Sequence, residues 1–184
     1  MLGRLGFPTG LVALIAAIVI PTTGASAPIH EDFVFSDITF EDFYLSDACG
    51  TTVLDTITVR VSVTFFPAAH RSPAHEVDTL TNGRITYSSP DTGNSLTRPM
   101  NGTSHAVYPE GTEPGSPAHM TITGVNTSSL TGTAPPGSGQ LVADGTILFL
   151  DDLGVPVTTF ETSGIVSMRG SYAATTAAIC VALT

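Results

Sequence analysis

The clearest pattern in the chain is a strict alternation of apolar and polar residues over residues 56–65, "TITVRVSVTF". The odd positions carry Ile, Val or Phe, and the even positions carry Thr, Arg or Ser. Ten residues with a period of two predict a long β-strand that has one face on the core and the other in water. Residues 84–88 and 118–123 alternate in the same way over shorter stretches.

The stretch of residues 33–45, "FVFSDITFEDFYL", is rich in aromatic and acidic residues. The pattern of this stretch changes phase at Ser36-Asp37. The pattern therefore predicts one strand with an irregularity, or two strands.

Two dipeptides predict tight turns between β-strands. Asn82-Gly83 lies between "VDTLT" and "RITYSS", and Asp144-Gly145 lies between "QLVA" and "TILFL". Both dipeptides suit type I′ turns, which need positive φ at both central residues. The sequence thus predicts two β-hairpins.

Pro and Gly cluster in three stretches, residues 67–75, 109–117 and 135–139. None is long enough to mark a domain boundary, so they are expected to be connections within one domain. Near the end, residues 173–183, "AATTAAICVAL", suit a short helix or a final strand.

These patterns predict an all-β fold in a single domain, with about eight to ten strands arranged as an antiparallel β-barrel or β-sandwich. The barrel is favoured because the long alternating strand suits a curved sheet and closure removes exposed edges.

The first 27 residues predict a secretory signal peptide. Arg4 is their only charged side chain, residues 11–20 are an unbroken apolar run, and small residues follow Pro21. A membrane-spanning helix needs about 20 apolar residues, so an uncleaved anchor is the weaker alternative. We therefore expect a signal-peptide helix at 1–27 and a secreted, extracellular domain at 28–184, with membrane contact only before cleavage.

The expected mature chain is strongly acidic. All 16 Asp and Glu follow the signal peptide, against five Arg, and the chain contains no Lys, which gives a formal charge of −11. Nucleic acid and anionic lipid surfaces require a basic patch. Neither is therefore an expected partner.

Cys49 and Cys180 are the two cysteines of the chain, and both lie in the exported part. An even number of cysteines in an oxidising compartment predicts one disulfide between them. The alternative is two free thiols or part of a metal site. No Cys or His lies three to five residues from either cysteine, which disfavours metal.

Asp91-Thr92-Gly93 matches the active-site tripeptide of aspartic proteases. That chemistry needs an Asp at the end of a buried apolar strand and a second Asp to share its proton. Here "SSP" precedes Asp91, and the chain has no second DTG or DSG. The composition of "SPDTGNS" predicts a turn.

The best metal candidate in the sequence is "HRSPAHEVD", which carries His70, His75, Glu76 and Asp78. Zinc needs its ligands held in a fixed frame. A solvated loop is the preferred interpretation of this segment.

A calcium loop at Asp144, Asp151 and Asp152 lacks the D-x-D-x-D-G spacing. Ser104-His105 cannot pair as nucleophile and base because neighbours on a strand point to opposite faces. His105 and His119 are expected to be ordinary sheet residues. The sequence therefore assigns no catalytic residue, no metal ligand and no cofactor.

Several features together resemble a group of small secreted actinobacterial β-proteins of unknown function. They are the signal peptide, Cys49-Gly50, "NGRITYSSPDTGNSLT", "PPGSGQLVADGTILF", and Cys180 followed by "VALT". The resemblance covers most of the mature chain and implies an all-β extracellular domain with a Cys49–Cys180 bridge. The chain departs from the group at residues 33–45 and 109–117.

Three functions follow as hypotheses. The first is a non-enzymatic secreted or cell-surface domain that binds an unknown protein or a cell-wall partner. The second is a lipocalin-like carrier of a small apolar ligand, which needs a barrel with a cavity. The third is a barrel enzyme, a cyclase or hydrolase, which needs a pocket where His105 or His119 meets an acidic side chain.

Overall fold

The structure is a computed structural model, and it describes residues 27–69, 72–112, 116–146, 149–150, 156–158 and 162–184. The predicted signal peptide lies outside these ranges except for its last residue.

Nine β-strands, two α-helices and one 3-10 helix make up the described part of the chain. The strands β1 to β9 are Ile29–Glu41, Leu54–Phe66, His75–Ser88, Ser95–Val107, Ala118–Val125, Ser138–Gly145, Phe149–Leu150, Pro156–Thr158 and Thr162–Gly170. The helices are α1, Phe43–Cys49, and α2, Tyr172–Leu183, and the 3-10 helix is Thr127–Thr131.

Seven strands form one antiparallel sheet in the order β1-β2-β3-β4-β5-β6-β9, while β7 and β8 pair with each other. The mostly antiparallel β architecture agrees with the predicted class. The favoured barrel is wrong, because within the described residues β1 and β9 are the two edges and do not pair with each other.

The sheet stays open because helices provide its second layer. The apolar side chains of β2, among them Ile57, Val59 and Val61, pack with Leu45 of α1 and Ile179 of α2 in one buried cluster. We call the face that carries these side chains the inner face. Once helices cover the apolar face of a sheet, the sheet does not need to curl onto itself to bury it.

The phase change predicted at Ser36-Asp37 is a β-bulge in β1. The pairing of β1 with β2 shifts between Phe35 and Ile38, and Asp37 has a φ of 54°. The extra residue restores the alternation, so that Ile38 faces Ile57 on the inner face.

The hairpin predicted at Asn82-Gly83 is wrong. Both residues lie inside β3, where the pairing with β4 shifts between Leu80 and Gly83 and Asn82 has a φ of 53°. This bulge places Asn82 at positive φ, and a type I′ turn needs positive φ at both central residues, so Asn-Gly suits either structure. The strand continues here because β2 and β4 pair with it on both sides of the bulge.

The second predicted hairpin is also wrong in its position. Asp144 and Gly145 belong to β6, where they pair with β5 on one side and with β9 on the other. The next described strand, β7, pairs with β8 instead of returning along β6.

Four glycines lie in register across β4, β5, β6 and β9. A Cβ atom at any of them would lie 2.0–2.3 Å from a backbone oxygen of the neighbouring strand, and their φ values are 141–152°. Glycine is therefore required along this row, where backbones approach more closely than a side chain permits. The row consists of Gly102, Gly124, Gly139 and Gly170.

The final apolar stretch forms the helix α2 rather than a strand, and a disulfide joins it to α1. Cys49 and Cys180, the pair that the sequence predicts, are bonded with an S–S distance of 1.98 Å and a Cα–Cα distance of 4.9 Å. The bridge spans 131 positions of the chain and holds both helices over the inner face.

Candidate functional site

The face of the sheet opposite the helices, which we call the outer face, carries rows of hydroxyl side chains. No helix among the described residues packs against this face, because α1, α2 and the 3-10 helix all contact the inner one. One row across β1 to β4 consists of Thr39, Thr56, Thr86 and Thr97. A second row across β2 to β5 consists of Ser62, Thr79, Thr103 and Thr123.

The four histidines that the structure describes, His30, His75, His105 and His119, lie on the outer face. The His75 ring stacks on Phe66 at a centroid distance of 4.6 Å and meets the His105 ring edge-on at 5.6 Å. His30 Nδ1 lies 2.8 Å from Thr64 Oγ1. The outer face therefore gathers the imidazoles of four different strands on one surface.

His119 makes the contact that the enzyme hypothesis required. Its Nδ1 lies 2.7 Å from Asp144 Oδ1 across β5 and β6. Both side chains are more than half exposed, at 54% and 55%. A carboxylate in this position orients an imidazole, but the pair stands on an open surface rather than in a pocket.

Two further ion pairs lie on the outer face. Arg60 Nη2 lies 3.1 Å from Asp32 Oδ2, and Arg84 Nη2 lies 3.3 Å from Asp37 Oδ1. Ser62 Oγ also donates to Asp32, and this hydrogen bond is the main reason why the pKa of Asp32 is lowered, with the Arg60 hydrogen bond second. These exposed pairs contribute little to stability but leave the surface electrostatically mixed.

The structure does not bring the described residues of the predicted metal candidate to one site. His70 lies outside the described residues, while His75 is on the outer face and its neighbour Glu76 is buried on the inner face. Within the described ranges no group of three or more His, Cys, Asp or Glu side chains is placed to hold a metal ion. Two residues of the calcium candidate, Asp151 and Asp152, lie outside those ranges.

Asp91 of the DTG tripeptide belongs to the turn between β3 and β4. Its Oδ2 accepts hydrogen bonds from Thr51 Oγ1 at 2.8 Å and from the Thr52 backbone N–H at 3.1 Å. These bonds, first from the Thr51 hydroxyl and then from the Thr52 amide, lower the pKa of Asp91. The predicted turn is confirmed, and the carboxylate joins it to the loop between α1 and β2.

A pair of carboxyl groups close enough to share a proton lies elsewhere, under α1. Asp42 and Asp55 are both wholly buried, and their side chains are within hydrogen-bonding reach of each other. Burial raises the pKa of Asp42, while burial and the neighbouring Asp42 charge raise the pKa of Asp55 to about 10. At neutral pH this pair carries at least one proton.

The phenol of Tyr87 lies close to this pair. Tyr87 faces Asp55 in the pairing of β2 with β3, and its hydroxyl lies 3.0 Å from Ser129 Oγ in the 3-10 helix. Burial, more than any charge, raises the pKa of Tyr87. Arg98 of β4 is the nearby cation, and its Nε is buried without a hydrogen-bond partner among the described residues.

A second acid pair, the buried Glu76 and the half-buried Asp78, lies near the other end of β3. Glu76 and Asp78 are two residues apart on the inner face, and Tyr108 Oη donates to Glu76 Oε2 at 3.3 Å. Burial raises the pKa of both carboxyl groups, and the Glu76 charge raises that of Asp78 further. Burial therefore favours the protonated form of both carboxyl groups.

The sequence patterns named Glu76 and Asp78 only as possible metal ligands and did not name Asp42 or Asp55, although residue parity carries a signal for buried acids. Asp55 extends the odd-numbered, apolar series of residues 57–65 backwards, so it must face the core. Glu76 and Asp78 share the parity of the buried Leu80 in the same way. Asp42 begins the helix α1, a position where Asp is common.

The two kinds of site differ in what they can do. The buried acids Asp42, Asp55 and Glu76 cannot meet a substrate in the folded state, because Asp42 and Asp55 have no exposed surface and Glu76 has 4%. The outer face is accessible, and its hydroxyl and imidazole groups can both donate and accept hydrogen bonds. Among the described residues, the outer face is therefore the candidate site for an external ligand.

No family model, no curated protein and no solved structure matches the chain. No helix in the described part of the chain has the length and apolar character needed to cross a membrane.

Proposed function

We propose that the protein is a non-enzymatic binding module that acts outside the cytoplasm and binds its partner through the outer face of the sheet. The observation that carries the proposal is that both helices and the 3-10 helix pack on the inner face, while the outer face presents ordered rows of polar side chains. The Cys49–Cys180 disulfide supports an oxidising compartment.

The chemistry of the outer face suits a polar, hydrogen-bonding partner. Across β1 to β6 only one large apolar side chain of this face, Val34, is strongly exposed. Cell-wall polysaccharide is a partner of this kind that a secreted domain meets. The carrier hypothesis has less support, because the sheet is not closed into the barrel that it requires.

Binding to purified cell-wall fragments of the producing cells tests the proposal. Thr103→Arg places a long charged side chain in the middle of the outer face, at an exposed position. We expect it to weaken saturable binding about tenfold or more if Thr103 lies at the centre of the contact. Ala177→Arg, at an exposed position of α2, is the matched control and should bind within about twofold of the wild type.

Two results would contradict the proposal. One is the absence of saturable binding to the fragments by the wild-type protein. The other is an equal loss of binding in both variants, since an effect common to both sides of the molecule does not come from the outer face.

A hydrolase remains the second candidate because His119 and Asp144 are in contact at 2.7 Å. Such an enzyme needs a nucleophile or a water held by the imidazole. No Ser, Thr or Cys side chain of the described residues forms a hydrogen bond to His119. Hydrolysis of ester or glycoside substrates that is lost in His119→Ala and retained in His30→Ala would favour the enzyme.

A further inference from the structure

The Asp42–Asp55 pair joins the helix α1 to the sheet. Asp42 caps the helix, since its Oδ1 accepts the Leu45 backbone N–H at 2.7 Å. The Asp42 N–H donates to the Val53 carbonyl at 2.9 Å, and the Val53 N–H donates to Ser46 Oγ at 3.0 Å. Asp55 lies two residues beyond Val53, on the same face of β2.

The pair needs a proton to satisfy its hydrogen bonds. As carboxylates both groups only accept, and then Asp42 Oδ2 and both oxygens of Asp55 have no donor among the described residues. A proton on one carboxyl group supplies the donor and leaves a single charge. Two charges in contact, without exposed surface, are strongly unfavourable.

The surroundings offer little to replace that proton. Tyr87 of β3 and Arg98 of β4 are the ionisable groups nearby, and the Tyr87 hydroxyl is engaged with Ser129. The charge of Arg98 lowers the pKa of Tyr87, while those of Asp55 and Asp42 raise it. Tyr172, the titratable residue of α2, packs in a different cluster.

The disulfide makes α1 and α2 move together. Cys49 is the last residue of α1, and Cys180 lies one turn before the end of α2. Ile179 and Leu183 of α2 pack in the same cluster as Leu45 of α1. Displacement of α1 therefore pulls on the contacts of α2 with the sheet.

We infer that the shared proton of Asp42 and Asp55 fastens the disulfide-linked helices α1 and α2 to the inner face, and that its loss releases both helices while the sheet remains paired. The protein thus contains a conformational device that is closed in acid and opens as the pH rises. Opening exposes Ile179 and Leu183, which the closed helices bury.

Hydrogen exchange of the intact, oxidised protein between pH 5 and pH 10 tests this inference, with protection factors corrected for the intrinsic pH dependence of exchange. In the wild type we expect the protection of α1 and α2 to fall by up to about tenfold per pH unit in the opening range. The amides of β2, β3 and β4 should keep their protection over the same range.

Asp55→Asn removes the second charge, so its helices should show no loss of protection at high pH. Should this variant fail to fold, Asp42→Asn answers the same question, because Asn caps helices as well as Asp. Asp47→Asn, at an exposed position of α1, is the control and should behave as the wild type does.

Two outcomes would overturn the inference. In the first, the strands lose protection in step with the helices, which means that rising pH unfolds the whole domain. In the second, the folded Asn variant keeps the pH dependence of the wild type, which means that another group controls the helices.

Discussion

At the scale of single residues, the most consequential side chain is Asp55, an acid inside an apolar cluster. Its pKa is about 10 in the folded protein against 3.8 for a solvated Asp. Between these values the folded state keeps a proton that the unfolded state has released, so the free energy of unfolding falls as the pH rises. The limiting slope is about 1.4 kcal/mol per pH unit for one proton.

Asp55→Asn removes this titration. We therefore expect the free energy of unfolding, measured with urea at pH 5, 7 and 9, to fall less steeply with pH in the variant than in the wild type. The two slopes should differ by up to the value for one proton, about 1.4 kcal/mol per pH unit. The variant should also be more stable than the wild type at pH 9. Equal slopes in the two proteins would show that Asp55 does not hold the proton.

Asp91→Asn is the matched control for this experiment. The pKa of Asp91 is lowered by the Thr51 and Thr52 hydrogen bonds, so Asp91 is ionised in both states above pH 5. Its stabilising effect is present above the unfolded pKa and is lost only as the pH falls through the folded pKa. Asp91→Asn should therefore leave the slope between pH 5 and 9 unchanged.

At the scale of secondary-structure elements, the glycine row determines how closely the backbones of β4, β5, β6 and β9 approach one another. Gly102→Ala would place a Cβ 2.3 Å from the Thr123 carbonyl oxygen and 2.6 Å from Thr127 Oγ1. We expect a loss of about 1–3 kcal/mol in the free energy of unfolding, measured with urea. Gly164→Ala in β9, where nothing lies within 4 Å, should be nearly neutral. A similar loss in both variants would contradict the steric explanation.

The Cys49–Cys180 disulfide is the second feature at this scale that we expect to stabilise the fold. For a loop of 131 residues the chain-entropy model gives about 4–5 kcal/mol of stabilisation. The double variant Cys49→Ser, Cys180→Ser should lose a large part of this in urea unfolding, together with the protection of α1 and α2 from hydrogen exchange. Unchanged stability would mean that helix packing alone holds α1 and α2 in place.

The elements also show where sequence reasoning succeeds and fails. The strand β2 follows from its alternation, and the bulge near Asp37 follows from a change of phase, because both are local patterns. Asn82-Gly83 does not distinguish a turn from a bulge, since Asn is well suited to the positive φ that occurs in both. The pairing of β3 with β2 and β4 on both sides selects the bulge, and a local sequence pattern does not contain this information.

At the scale of the whole molecule, buried acids set the response to pH. The pKa values of Asp42, Asp55, Glu76 and Asp78 are all raised, mainly by burial. We therefore expect the thermal midpoint to be highest near about pH 4, below the usual range of about 5 to 8, and to fall steadily towards alkaline pH. A maximum at pH 7 or above would contradict the assignment of these groups as protonated.

The candidate binding surface was only partly predictable. Alternation assigned Thr56, Thr58 and Thr64 to the solvent side of one strand. Only the register of six strands shows that the described histidines share this face, because the pairing depends on where each bulge falls. The open sheet was not predictable from patterns of single strands, since it depends on the two short helices that cover the inner face.

The Cys49–Cys180 bridge also determines how the molecule carries a mechanical load. A pulling force applied between residue 28 and the last residue passes through β1, α1, the disulfide and the final four residues. The strands from β2 to β9 lie inside the covalent loop, so the covalent path of the force bypasses them. Under tension the chain would lengthen only by peeling β1 and α1 from the sheet. A domain tethered at both ends would thus keep most of its binding face intact while it is stretched.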